Sequence, residues 1–475
     1  MTSEFTGSSA AANDAAGANA HGLARVLGLF DATCIVIGAI IGVGIFFTPS
    51  NVARLAGSGQ LALAAWIVGG VIALAGALSF AALGSVFHTA GGQYAILRDS
   101  YGRFPAFLYV FCNATGIQAG AIAIIACICA QNVGVAVAGN ELTGTGMLVL
   151  ASVLVVGLVG ANILGVKLGA GIQNFTVLAK VTTLIVIGVL AATTPAFQQV
   201  TGAAVATGPS SAGGIFVALF SAIAVSFFAY GGWQHALWMA GEVRNPRRNI
   251  PLAILIGVGI VIVVYVGAAW AYLSLLGYEG VTSSKTLAAD AVATAWPVFG
   301  RRLISGAVAV SAFGVLNAQL LSGPRLVYRM ALERQFFAPF GRIAAATGTP
   351  AAAISLLGAC GLLLLWAAGA KSDDAISTID KLITGVVVVD GVFFALTAGA
   401  IFILSRRSEG AGLRRIELGF PIAPAIFILG EGGLLVASNL NPETANAAKF
   451  GLAWIVAAAV FWLLFFRQDR VTDVS

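Results

Sequence analysis

Long, uninterrupted apolar runs dominate this chain, and they restrict its fold before any motif is read. A helix that crosses a bilayer needs about 20 mainly apolar residues. Twelve stretches qualify, at 28–56, 61–86, 104–131, 146–164, 168–194, 214–241, 249–277, 299–323, 350–369, 381–404, 419–439 and 447–467. A membrane barrel would show segments of about 10 residues with alternating polarity, whereas these runs are continuous. Of the 475 residues, 59% are hydrophobic and 9% charged, against roughly 25% charged in a soluble domain. So few charges cannot clothe a water-soluble body of this size, which excludes a large soluble enzyme. A collagen-like fibre is excluded too, because the 59 glycines follow no three-residue period. The reading is an all-α integral membrane protein with twelve transmembrane helices.

The remaining charge sets the expected orientation. With the N-terminus inside, 17 of the 25 basic residues fall on the cytoplasmic side and seven on the outer side, as the positive-inside bias requires. Arg301 and Arg302 run against it. Both termini are then cytoplasmic, in a multi-pass cell membrane protein expected in a bacterial inner membrane. Residues 1–22, rich in Ala, Gly, Ser and Asn, are expected to form a disordered cytoplasmic tail and lack the layout of a secretory signal. The net charge of +6 is spread among loops rather than gathered in a patch, so nucleic acid is not an expected partner. Cys34, Cys112, Cys127, Cys129 and Cys360 lie inside apolar runs and read as small buried side chains, not as a disulfide framework or a metal site. No metal and no cofactor is expected.

Two of the runs carry glycine clusters at mid-span. The first contains Gly38, Gly42 and Gly44, the sixth Gly231 and Gly232 within FAYGGW. Glycine costs a helix interior about 1 kcal/mol relative to alanine and lets the backbone leave helical geometry. Irregular backbone at membrane depth is tolerated only where it is buried or lines a wet cavity. Interruptions at matched places of two five-helix halves point to an inverted-repeat transporter with a binding site near the midplane. Close helix packing through small residues is the competing reading of any one cluster.

Helix dipoles then suggest the chemistry. A half-helix starting after the first break presents free amides, those of Gly42, Val43 and Gly44, to a carboxylate. A half-helix ending at the second break leaves the carbonyls of Phe227, Phe228 and Ala229 for an ammonium group. One site holding both charges describes an α-amino acid, with a side-chain pocket expected to be mostly apolar.

Four stretches carry a resemblance: GAIIGVGIFFTPSNVARLAGS (38–58), SFAALGSVFHTAGGQYAILRDSYGRFPAFLY (79–109), FFAYGGWQHALWMAGEVRNPRRNIPLAI (227–254) and VSAFGVLNAQLLSGPRLVYRMA (310–331). Over roughly residues 25–410 the chain resembles the amino acid–polyamine–organocation transporters, most closely the L-type amino acid transporter branch. The resemblance implies a five-plus-five inverted-repeat core with broken helices 1 and 6, two further C-terminal helices, and alternating access. On that reading the domains are 23–404 (repeats at about 28–194 and 214–404) and 405–475, which holds two accessory helices and a tail. Carried over by position, Val43 and Gly44 meet the substrate carboxylate, Phe228 is a gating aromatic, Gly231 lies at the helix 6 break, and Asp390 is where helix 10 nears the substrate; Ile41 and Gly42 are counted with the substrate-binding residues. Val43 stands where serine is common, and Ala82 where a glutamate is common. Loop 132–145 has no cysteine, so no disulfide-linked heavy chain is expected.

Asp31, Lys180, Asp390 and Glu431 lie within spans, where a charge costs about 3 kcal/mol and faces the protein interior or a pathway. The resemblance places Lys180 where sodium-coupled relatives hold the ion, bonding the carbonyl region of Ile37 and Gly38 and the hydroxyl of Ser311. Lys180 and Ser311 are therefore the expected coupling residues of a sodium-independent carrier. Snorkelling of Lys180 to an interface is the alternative. Asp31 is read as a helix cap, and Glu431, in an accessory helix, receives no role. Glu242 is expected to cluster with Arg244, Arg247 and Arg248. The leading function is secondary transport of amino acids, neutral ones by the apolar neighbourhood, with no enzyme activity. A polyamine or amine antiporter is the runner-up, for which only one cavity carboxylate, Asp390, is found. A channel is the second class, lacking filter-like repeats or charged rings, and a membrane enzyme the third, lacking a metal-spaced His/Glu cluster or a Ser/His/Asp set at a common depth.

Overall fold

The computed structural model describes residues 23–193, 212–284, 286–296, 300–369, 375–406, 420–440 and 442–466. The expected tail at 1–22 lies outside them. Apart from one isolated parallel bridge between Leu27 and Val243, the regular structure among the described residues is helical. Seven helices are long and apolar enough to cross a membrane: Gly59–Gly84, Arg103–Ala138, Gly144–Leu164, Val166–Thr193, Pro246–Ser283, Gly300–Leu332 and Ala351–Gly369. Five shorter apolar helices accompany them, at Leu29–Ile40, Ala218–Phe227, Val389–Leu404, Ile422–Val436 and Gly451–Phe465.

The first of these helices is short because the chain unwinds after it, and the chain unwinds again after Ala229. The first run folds as α1 (Leu29–Ile40) and α2 (Thr48–Ala56), separated by residues 41–43 and a 3₁₀ turn at Gly44–Phe46. α1 is capped by Asp31, whose carboxylate accepts from the Gly28 amide at 2.8 Å and the Asn174 side chain at 2.8 Å. α3 (Gly59–Gly84) starts on the side-chain cap of Ser58. α4 (Gly92–Tyr101) is a short helix entered through Gly91 in the left-handed region, followed by α5 (Arg103–Cys112), a π turn at Asn113–Gln118 and α6 (Ala119–Ala138). α7 (Gly144–Leu164) and α8 (Val166–Thr193) complete the first half.

The second half opens with α9 (Ala212–Ala229), unwinds over residues 230–234, and resumes as α10 (His235–Trp238) and a 3₁₀ turn at Ala240–Glu242. α11 (Pro246–Ser283) has Pro246 at its first position and a kink at Gly277, φ 70°, where the sequence places the end of the seventh span. α12 (Leu287–Ala293), α13 (Gly300–Ser322), α14 (Pro324–Leu332), α15 (Ala351–Gly369), α16 (Ala375–Leu404), α17 (Ile422–Leu440) and α18 (Pro442–Phe465) follow. α13 packs on α6 and α8, α11 on α3 and α1, and α17 on α3 and α16. The two unwound segments therefore sit inside the bundle, enclosed by other helices.

Candidate functional site

A helix end leaves up to four carbonyls without intrahelical donors, and inside a membrane each must be satisfied by protein. At the break after α1 this is done by side chains from three other helices. Lys180 on α8 donates to the carbonyls of Gly38 and Ile41 at 3.2 and 2.7 Å. Tyr265 on α11 donates to Ile40 at 2.9 Å, and the Ser311 hydroxyl on α13 to Gly42 at 3.3 Å. Ile37 is taken by the amide of Ile41 at 2.7 Å. Lys180 is fully buried, and its ammonium stands at the negative end of the α1 dipole. Its contact with Ser311 is to the backbone carbonyl at 3.4 Å, not to the expected hydroxyl. The amides of Val43 and Gly44 have no backbone acceptor among the described residues and that of Gly42 is directed at the Tyr265 hydroxyl, while the carbonyls of Val43 and Gly44 accept from Phe46 and Phe47.

The second break faces the first. Gly232 has φ 137°, and a Cβ there would stand 2.9 Å from both the Ala39 carbonyl carbon and the Ile40 nitrogen. No side chain fits between the two backbones, so glycine is what lets them touch. Of the three carbonyls expected to face an ammonium, Phe227's is taken by the amide of Tyr230 at 3.0 Å, and those of Phe228 and Ala229 have no backbone donor among the described residues. The Phe228 side chain, expected as a gate, lies outside the described residues. Tyr230 anchors the break to α3 by donating to the Trp66 carbonyl at 3.0 Å.

Beside the two breaks lies a cavity of about 190 Å³. Among the expected site residues, Phe227, Gly231 and Asp390 line it, whereas Ile41, Gly42, Val43, Gly44 and Ala229 border the break without lining the cavity. Its wall is mostly apolar, as expected, but several polar side chains interrupt it. Gln118 from the π turn, Gln234 from the second break, Gln319 from α13, Asp390 from α16 and Glu431 from α17 all contribute. Five atoms in this wall are buried without a partner: Gln118 Oε1, Trp233 Nε1, Gln234 Oε1, Gln319 Oε1 and Asp390 Oδ1. Lone amides and carboxylates in otherwise apolar helices were the available signal for these groups. Tyr265, which has no such signature, was missed outright.

Glu431 is the largest departure from the sequence reading. α17 presents Phe427, Glu431 and Leu434 on one face, and Phe427 packs against Phe80, Phe227 and Trp233. A Cβ on Gly430 would lie 2.7 Å from Ile72, so α17 approaches α3 closely. That approach brings Glu431, 3% exposed, into the same wall as Asp390.

The mouth beside the start of α1 is closed. The amides of Val26 and Leu27 donate to the Glu242 carbonyl at 2.9 and 3.0 Å, and Arg244 donates its amide back to Leu27 at 2.8 Å. The Glu242 carboxylate pairs with Arg325 of α14 at 2.7 Å, both side chains being buried. This corrects the expected cluster: Arg244, Arg247 and Arg248 are exposed, and Glu242 finds its partner on another helix. Arg98 and Arg329 converge on Glu333 nearby. His235 bonds Ser322 at 2.5 Å and packs on Trp238, a satisfied core histidine. On the opposite side of the breaks a second cavity of about 190 Å³ is lined by Phe46, Phe47, Gln131, Asn132, Glu141 and Arg301 among others.

The comparisons with known proteins agree with one another. A family model described as amino acid permease matches residues 27–465. The serine/threonine exchanger SteT of Bacillus subtilis (strain 168) is 31% identical over 449 residues, 93% of this chain and 97% of that protein. The b(0,+)-type amino acid transporter 1 of Mus musculus is 26% identical over 93% of this chain and 88% of its own length. The large neutral amino acids transporter small subunit 2 of Rattus norvegicus is 29% identical over 88% and 77%. With a match spanning nearly the whole chain, apolar helices and two facing backbone breaks, this multi-pass membrane protein belongs to the amino acid permease family of the amino acid–polyamine–organocation superfamily.

Proposed function

We propose that the chain is a secondary carrier of L-amino acids that works by alternating access, without sodium, as an exchanger or uptake permease. The observation that carries this reading is the contact between the two breaks. Amides of Val43 and Gly44 without a backbone acceptor among the described residues lie after one break, and carbonyls of Phe228 and Ala229 without a backbone donor among them precede the other. These groups read the α-carboxylate and α-ammonium that every α-amino acid shares, so neutral L-amino acids are included. The relative named as a serine/threonine exchanger is in keeping with such substrates.

The same reading takes the seven long and five shorter helices as twelve spans in a five-plus-five inverted repeat with two accessory C-terminal helices. Both termini are placed in the cytoplasm of a bacterial inner membrane. The closed mouth at Leu27, Val243, Glu242 and Arg325 is then the inner gate, with the second cavity as the outer vestibule. Lys180 fixes a positive charge among carbonyls that would suit a monovalent cation, which supports sodium independence. The buried thiols Cys34, Cys112, Cys127 and Cys129 and the cysteine-free loop 132–145 support function without a disulfide-linked heavy chain.

The two-ended clamp is tested by titrating the purified protein with L-serine, its methyl ester and ethanolamine. L-serine is expected to raise the melting temperature, as a ligand that favours the folded state does, and the two analogues lacking the carboxylate are expected not to. Equal shifts for all three compounds would remove the carboxylate from the site.

A further inference from the structure

The cavity beside the breaks is short of positive charge. Asp390 and Glu431 both line it, and among the described residues no lysine or arginine does; His235, also in the wall, bonds Ser322. Among the described residues the buried cations bond elsewhere, Lys180 to the carbonyls of Gly38, Ile41 and Ser311, Arg325 to Glu242 and Arg329 to Glu333. Independently of the carboxylates, Gln118 and Gln234, 2% and 5% exposed, carry Oε1 atoms buried in the same wall without a hydrogen-bond partner. Four of the five orphaned polar atoms there are acceptors, Trp233 Nε1 being the donor. An unpaired buried acceptor is costly, and a buried uncompensated carboxylate more so. The occupant that relieves both must bring several donors and a positive charge. A hydroxyl brings one donor and no charge. An ammonium brings three donors and a guanidinium five.

We propose that this cavity is a subsite for a substrate side chain bearing an ammonium or guanidinium group, with Glu431 as the specificity-determining residue. The inference rests on the amino acid carrier reading and deepens it: the backbone clamp reads the α-groups, and the cavity reads the side chain. The position of Glu431 is built into the fold. Its Oε2 lies 3.0 Å from where a Cβ on Gly391 would be, so the glycine beside Asp390 leaves the space the second carboxylate fills.

The test is exchange in proteoliposomes preloaded with radiolabelled L-serine, driven by external L-serine, L-leucine, L-lysine or L-ornithine. Wild-type protein is expected to exchange L-lysine and L-ornithine. Glu431→Gln, which keeps size and hydrogen bonding, is expected to lower the lysine-to-serine preference tenfold or more. Gly391→Ala, which displaces the carboxylate without removing it, is expected to lower it in the same direction. If serine exchanges but neither lysine nor ornithine drives exchange or competes, the subsite is refuted while the carrier stands. A Glu431→Gln protein that slows lysine and serine equally also refutes it, since the carboxylate would then serve the α-ammonium or a proton. Absence of any amino acid exchange takes down both readings.

Discussion

Gly232 is seated on the carbonyl of Ala39: a Cβ added to it would stand 2.9 Å from the Ala39 carbonyl carbon and 3.0 Å from its oxygen. The contact joins the unwound segment after α9 to the last turn of α1. The two segments are in backbone contact there, with no room for a side chain between them.

Gly232→Ala is therefore expected to disable the protein. A side chain held at positive φ costs about 1–3 kcal/mol, and the added carbon also forces the two backbones apart. Exchange should fall more than tenfold with a lowered melting temperature. A variant that exchanges at the wild-type rate would show that the breaks do not depend on each other's position.

Lys180→Ala removes the donor to two α1 carbonyls, each left buried at a cost of about 1–3 kcal/mol. Exchange is expected to drop at least tenfold. In the wild type, the ammonium already supplies the fixed charge at this place, so replacing sodium with potassium or choline should change the rate less than twofold. A strict requirement for sodium would contradict the role assigned to Lys180.

Ser311→Ala takes away one hydrogen bond, to the carbonyl of Gly42 at 3.3 Å, worth about 1 kcal/mol. A several-fold loss of exchange with little change in melting temperature is the expected outcome. Thr should restore most of the activity at this position by retaining the hydroxyl, and a serine-to-threonine change as damaging as alanine would argue for packing instead.

The Glu242–Arg325 pair is buried on both sides, and breaking such a pair by removing one partner costs about 3–5 kcal/mol. Arg325→Met is expected to lower the melting temperature sharply. Adding Glu242→Gln should return part of that loss, because no uncompensated charge then remains. If the double variant is less stable than Arg325→Met alone, the cost arises from lost packing of the guanidinium rather than from the stranded carboxylate.

What could be read from the chain and what could not divide along a physical line. Features set by local composition were legible: the apolar runs, the unwinding near Gly42 and near Gly231 and Gly232, and the cap at Asp31. Features set by contacts between distant helices were not. The meeting of Lys180 with the Gly38 carbonyl was expected from the resemblance alone, and no spacing in the chain announces that Tyr265 joins it there from a third helix. Arg325 was hidden behind three closer arginines, although sequence proximity does not carry charge into a core. Glu431 was discounted because α17 lies outside the repeated core. A buried carboxylate at mid-span was itself the signal, and the close approach allowed at Gly430 brings that helix to the cavity. The convergence of Gln118, Gln234 and Gln319 on one mostly apolar cavity was likewise invisible, since they are scattered singly among apolar neighbours.

The most direct measurement is counterflow in sealed proteoliposomes. Vesicles containing the purified protein are loaded with unlabelled L-serine and supplied with a trace of labelled L-serine outside. A carrier whose two breaks open alternately to either face must accumulate label transiently above equilibrium, faster with internal substrate than without it. Label that enters at a rate indifferent to the internal amino acid would mean a continuous pore or no transport, and the alternating site between Gly232 and Ala39 would have to be given up.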